Sequence, residues 1–166
     1  RWPRRPASSN LGPVAAIMKT KQDGVALVEL TLIIPFLLLL TFITTEFGRA
    51  MFEYNAVAKS TRDAVRYLSF QTPGTHVAEA QNLIVYGNLA GTGAPLARGL
   101  SLANVPAASC CTWQTAGTNP VINTVTVRVS NYAFRSLFPS VLGLAFGDAN
   151  GDITFGDITA TMRGAT

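Results

Sequence analysis

The chain has 166 residues, a formal net charge of +4, two cysteines, one histidine and an apolar share of 48%, enough for one compact domain. The excess charge sits at the start: residues 1–24 hold five basic side chains against Asp23, whereas residues 25–166 hold eight basic and eight acidic ones. A neutral remainder excludes the basic face that nucleic acid requires, so no nucleic-acid partner is expected.

Residues 1–24 read as a basic leader. The stretch RWPRRPASSNLGPVAAI ahead of Met18 has neither helical nor strand periodicity, and the expected translation start is Met18, giving MKTKQDG. Residues 25–45, VALVELTLIIPFLLLLTFITT, contain one ionisable side chain, Glu29. As a helix rising about 1.5 Å per residue, this run spans roughly 31 Å, the thickness of a bilayer's hydrocarbon core. A helix on a soluble surface needs a polar stripe, and this run has none. A cleavable secretory signal shares the basic start, but its apolar stretch is shorter, and Glu46-Phe47-Gly48-Arg49 offers no small-residue cleavage site. Basic residues before the span and mixed charge after it orient the N-terminus to the cytoplasm and residues 46–166 outside.

After the span, Phe47, Met51, Tyr54, Ala58, Thr61, Val65 and Leu68 recur at alternating spacings of four and three, the seam of an amphipathic stalk over residues 46–70. Glu53, Lys59, Arg62, Asp63 and Arg66 fall off that seam. One continuous helix from about Val25 to Phe70 is expected, bent at Pro35 and stopped by the Pro73-Gly74 turn.

Residues 71–166 read as a small α+β domain. Thr75 is placed to cap a second helix through VAEAQNLIVYGNL, with Val77, Ala80, Leu83 and Ile84 on its apolar side and Gly87 or Gly91 ending it. From Gly91 to Pro120 the composition predicts loop, with one short strand near Leu100–Val105. Within Val121–Tyr132, Val125, Val127 and Val129 alternate with Thr124, Thr126, Arg128 and Ser130, the period of a half-buried strand. The apolar cluster Leu137, Phe138, Val141, Leu142 and Leu144 is expected as a short helix or loop under the sheet. The final strand is expected over Ile153–Met162, with Gly156 at a bulge. Cys110 and Cys111 would lie in an oxidising compartment, where a disulfide can form within or between chains. Because adjacent cysteines close only a strained ring, intermolecular pairing and plain burial stay open.

The chemistry concentrates in Gly24-Val25-Ala26-Leu27-Val28-Glu29, at the cytoplasmic edge of the span. A Gly at a cut lets the backbone enter a tight protease site, and a carboxylate one turn into hydrocarbon is costly unless paired. This constellation resembles the type IV prepilin processing site. The resemblance implies cleavage by a prepilin peptidase between Gly24 and Val25, leaving Glu29 fifth in the mature chain and facing the new amine of Val25 on the same or a neighbouring subunit. Glu29 reaching back to the interface is the bland alternative. Val25 in place of the frequent Phe puts N-methylation in doubt.

Read whole, the segment GVALVELTLIIPFLLLL, then EFGR, then STRDAVRY resembles the TadE-like family, minor pseudopilins of tight-adherence (Flp-type) pili. Glu29, Pro35, Gly48, Arg49, Arg62 and Arg66 stand at the positions of that pattern, over about residues 22–70. The chain's modest length favours this family over the related TadG-like proteins, which carry a larger domain. The resemblance implies a non-catalytic, cofactor-free minor subunit of the bacterial inner membrane, held by lipid and used with other pilin subunits in pilus assembly and adherence. The competing class is an uncleaved, membrane-anchored periplasmic scaffold or binding module.

Other chemistry is weaker. His76, the single histidine, has no nucleophile and acid at triad spacing and reads as a helix-start residue. Gly91-Thr92-Gly93 lacks the third glycine of a dinucleotide fingerprint. Asp148-Ala-Asn150-Gly-Asp152 resembles the start of a calcium loop, but Ile153 and Thr159 stand where that loop needs Gly and Glu. A tight turn at Asn150-Gly151 is the simpler reading, and no metal is expected.

Overall fold

A computed structural model describes residues 23–165 apart from Leu142, Phe146 and Ala149. The leader before Asp23, with Lys19, Lys21 and the Met18 start, lies outside the described residues, as does Leu142 of the predicted apolar cluster. Helix α1 runs Asp23–Ser69, as the seam and the apolar run together predict. The chain divides into two compact units, residues 1–38 and 39–166.

In the first unit the described residues are all helical, and their large apolar side chains are exposed. The most apolar window of α1 has a mean hydropathy of 2.5 and no burial against the rest of the protein. Inside hydrocarbon every polar group must be satisfied locally. Thr31 Oγ1 donates to the Val28 carbonyl at 2.8 Å and returns to its own helix. The helix continues through Pro35, although the ring has no N–H to offer the carbonyl of Thr31.

The second unit is α+β. Its stretch of α1 is joined by α2 (Val77–Tyr86), a 3-10 turn (Leu102–Asn104) and α3 (Ala107–Cys110). Strands β1 (Cys111–Ala116), β2 (Ile122–Val129) and β7 (Ile158–Arg163) form an antiparallel sheet in the order β1-β2-β7. Two small ribbons complete it. One pairs β3 (Ala133–Arg135) with β6 (Asp152–Thr154), and the other pairs β4 (Ser140–Val141) with β5 (Leu144–Ala145).

Period-two patterning fixes which side of β2 is covered. Val125, Val127 and Val129 are buried, with Trp113 and Met162 opposite Val125, and Cys111 and Ala160 opposite Val127. On the other face Thr126 and Thr161 share a hydroxyl hydrogen bond of 2.8 Å. The core joins these valines to Val57, Val65 and Leu68 of α1 and to Ala80, Ile84 and Val85 of α2. Burying a side chain of this size is worth about 1.5–3 kcal/mol.

Several predicted elements are corrected. The Leu100–Val105 strand is instead a 3-10 turn, its ends tied by Ser101 and Asn104 in a capping box. Strand β1 arises where loop was expected, because β2 offers it a full antiparallel partner from Cys111 to Ala116. The residue at the N-cap of α2 is His76, with a left-handed φ of 58° and no side-chain cap. Thr75 Oγ1 donates instead to the Thr72 carbonyl at 2.7 Å. Gly87 does end α2, with φ 73° and its N–H donating to the Leu83 carbonyl.

The predicted final strand divides. Ile153 pairs with Phe134 in one ribbon, whereas Ile158–Arg163 pairs with β2, so Gly156 lies in the link between two sheets and not at a bulge. Where a short helix or loop was expected, the Leu137–Leu144 cluster contributes to the small β4–β5 hairpin.

The predicted seam of α1 holds from Tyr54 onward: Ala58, Thr61, Val65 and Leu68 are buried, and Tyr54 packs against the core. Its first two members differ, because Phe47 and Met51 are exposed while Glu46 and Ala50 take the inward places.

Candidate functional site

The processing motif occupies the first two turns of α1. Gly24 is exposed, and a Cβ placed on it would touch nothing within 4 Å, so glycine here answers no packing demand among the described residues. Val25 and Val28 are exposed, as is Glu29. Positions 25 and 29 are one turn apart on one helix face. Helical side chains lean toward the N-terminus, so the Glu29 carboxylate is directed to the turn that begins at Val25.

A second constellation, in the other unit, is built on Glu46, Arg49 and Glu53, three residues spaced for contact along α1. Arg49 Nη1 lies 3.1 Å from Glu46 Oε1 and Nη2 lies 3.6 Å from Glu53 Oε1. Its guanidinium sits 5.2 Å from the centroid of the Phe134 ring, a cation–π arrangement. The β3 region supplies further donors. Ser136 Oγ and the Leu137 N–H each donate to Glu46 at 3.3 Å, and the Tyr132 hydroxyl donates to Glu53 Oε2 at 2.8 Å.

Tyr132 is buried, its ring stacked on Phe155 at 5.8 Å. Desolvation by that burial, with the Glu53 carboxylate adjoining, holds its hydroxyl far above the usual phenol range. Among the described residues no buried side-chain nitrogen or oxygen lacks a partner. This knot joins α1 to the β3 region.

The family-pattern residues are therefore not gathered in one place. Arg49 is in the knot, and Gly48 is exposed beside it with nothing within 4 Å of a built Cβ. Arg62 and Arg66 lie on the exposed side of α1, and Arg66 in the last turn complements the negative end of the helix dipole. Nothing in the fold accounts for glycine at 48 or arginine at 62. Sequence reasoning did not single out Glu46, Tyr132, Phe134 or Ser136 as a site. The Glu46/Arg49/Glu53 spacing was the available signal.

Cys110 and Cys111 form a disulfide between adjacent residues at the junction of α3 and β1, and both are buried in the core. Asp148 Oδ1 accepts from the N–H groups of Asn150 and Asp152 at 2.8 and 2.9 Å, so the calcium-like segment is a turn organised around one carboxylate. Among the described residues no group of three or more metal-ligating side chains is assembled. His76 is exposed and contacts the Thr75 hydroxyl at 2.9 Å.

One unburied apolar helical run ahead of a compact α+β unit is the arrangement of a protein anchored to a membrane by a single helix. Residues 24–66 match the family described as TadE-like protein, so this segment of the chain is similar to that family. No curated protein and no solved structure gives a match.

Proposed function

We propose that the chain is a minor, pilin-like structural subunit of a Flp/Tad pilus, cut by a prepilin peptidase after Gly24 and retained in the inner membrane by residues 25–45, with residues 46–166 in the periplasm. The observation that carries this reading is Gly24 with Glu29 five positions on, at the head of an unburied apolar helix inside the TadE-like segment.

Cleavage removes the charged leader and creates an amine on Val25. A carboxylate left unpaired in hydrocarbon costs about 3 kcal/mol, and pairing with an ammonium offsets that cost. Glu29 thereby sets the axial register of one helix against its neighbours, while packing between helices replaces contacts with acyl chains. The partners on this reading are the peptidase, other pilin subunits and inner-membrane lipid, and the subunit serves pilus assembly and adherence. It has no enzymatic role.

Coexpression with a prepilin peptidase tests the assignment. The wild-type chain loses the mass of its leader, Gly24→Val keeps it, and Glu29→Leu is cut but fails to enter pili. A Gly24→Val chain trimmed like the wild type returns the protein to the class of uncleaved anchored scaffold or binding module. Normal piliation by Glu29→Leu removes the register role.

A further inference from the structure

Between Glu46 and Glu53 the helix α1 is arranged inside out with respect to water. Its charged side chains turn inward: Glu46 is 7% exposed, and Glu53 receives the Tyr132 hydroxyl. Its large apolar side chains turn outward: Phe47 is 66% and Phe52 74% exposed. A surface bathed in water has the opposite polarity.

The outward side is concave. Phe42, Ile43, Phe47 and Met51 of α1 line a groove of about 250 Å³ together with Phe138 and Ile153, the Phe42 and Phe138 rings touching at 4.8 Å between centroids. The polar residues on its wall, Glu46 and Ser136, have their polar atoms engaged with each other and with Arg49, Leu137 and Phe138. The groove thus offers an occupant apolar surface and almost no hydrogen bonding.

Phe42 and Ile43 belong both to the apolar run and to the groove, so the medium that solvates the end of the run reaches the groove mouth. The apolar run ends at Thr45, and the next four residues, about 6 Å of helix, bring the chain to Arg49. Between Thr45 and Arg49 the one ionisable group is Glu46, a carboxylate already covered and paired, the state in which an acid is tolerated at membrane depth. Thr44 and Thr45 at the end of the run donate to carbonyls of their own helix.

From this inversion and continuity we infer that the groove is a lipid-binding surface: the second unit is seated in the outer leaflet, with acyl chains packed against Phe47, Met51, Phe138 and Ile153. The inference rests on the membrane reading of residues 25–45 given above.

The full chain in phosphatidylcholine vesicles carrying nitroxide-labelled acyl chains provides the test. A bimane fluorophore is placed in turn on Phe47→Cys, Ile153→Cys, Leu38→Cys within the span and Val121→Cys on the β1–β2 loop. Quenching at 47 and 153 is expected to approach that at 38 and to exceed that at 121 at least threefold. Quenching at 38 with values at 47 and 153 no greater than at 121 overturns the lipid seat and leaves the span intact. Energy transfer between labelled copies at 47, without lipid quenching, also overturns it, in favour of a second chain in the groove. Absence of quenching at 38 removes the membrane reading itself and the seat with it.

Discussion

The two halves of helix α1 both carry apolar side chains, yet they meet opposite fates. Leu27, Leu32 and Phe36 in the first half stay exposed, whereas Val57, Val65 and Leu68 in the second are closed off by α2 and the β1-β2-β7 sheet. Hydrophobic side chains make a core only where another element brings a matching face; without one, the same chemistry requires an external apolar solvent. The turns at Glu46–Glu53 lie between these regimes, and there the chain turns its charges inward.

That comparison is sharpest when one leucine is removed from each half. Leu68→Ala in the full chain is expected to destabilise the second unit by about 2–5 kcal/mol, the range for a large-to-small core change. Leu37→Ala, in the exposed run, is expected to leave denaturant unfolding of that unit within about 0.5 kcal/mol of wild type. Equal losses at the two sites would mean that the apolar run is also covered by protein.

The knot is the next largest. Glu46→Ala leaves the Leu137 N–H and part of the Arg49 guanidinium without an acceptor, a loss of about 1–3 kcal/mol. Glu46→Gln keeps one acceptor oxygen and should lose less, as read by urea unfolding in detergent. A wild-type midpoint for Glu46→Ala would show that the inward charges contribute nothing.

Tyr132→Phe removes one hydroxyl donor from Glu53, for about 1 kcal/mol near neutral pH. Its pH signature is more specific. The folded phenol ionises well above its ordinary value of 10, so the fold holds that proton more tightly than the unfolded chain does. The corresponding stability is fully present below pH 10 and declines as pH rises above it toward the folded value. Unfolding midpoints of the wild type should fall more steeply above pH 10 than those of Tyr132→Phe, and parallel slopes would contradict the buried contact.

A comparably small effect is expected at Cys110–Cys111. Their bond joins neighbours in sequence and closes almost no loop, so the chain-entropy contribution is about 1 kcal/mol, against roughly 3 for a fifteen-residue loop. Reduction should therefore shift the thermal midpoint by a few degrees at most, and complete unfolding on reduction would show that the pair fixes the α3–β1 junction by more than entropy.

Features carried by local period were legible in the chain: α1, predicted over Val25–Phe70, spans Asp23–Ser69, and the valines of β2 alternate as expected. Features carried by distant partners were not. Strand β1 is read as loop because its alternation stops after Cys111 and Trp113, and only β2 makes it a strand. Glu53 reads only as a residue off the seam, because its hydroxyl partner lies 79 positions away. Likewise Glu46, masked by Ser136 across 90 positions, occupies an inward place that period alone assigns to Phe47. The Ile153–Met162 run was divided by two strand partners, β3 and β2, that no local pattern names.

Intact-mass analysis and N-terminal sequencing of the chain extracted from the membranes of its own host bear most directly on the whole account. The account predicts a mature protein that begins at Val25, with Glu29 at its fifth position. A membrane-extracted chain still carrying Lys19 and Lys21 would contradict it.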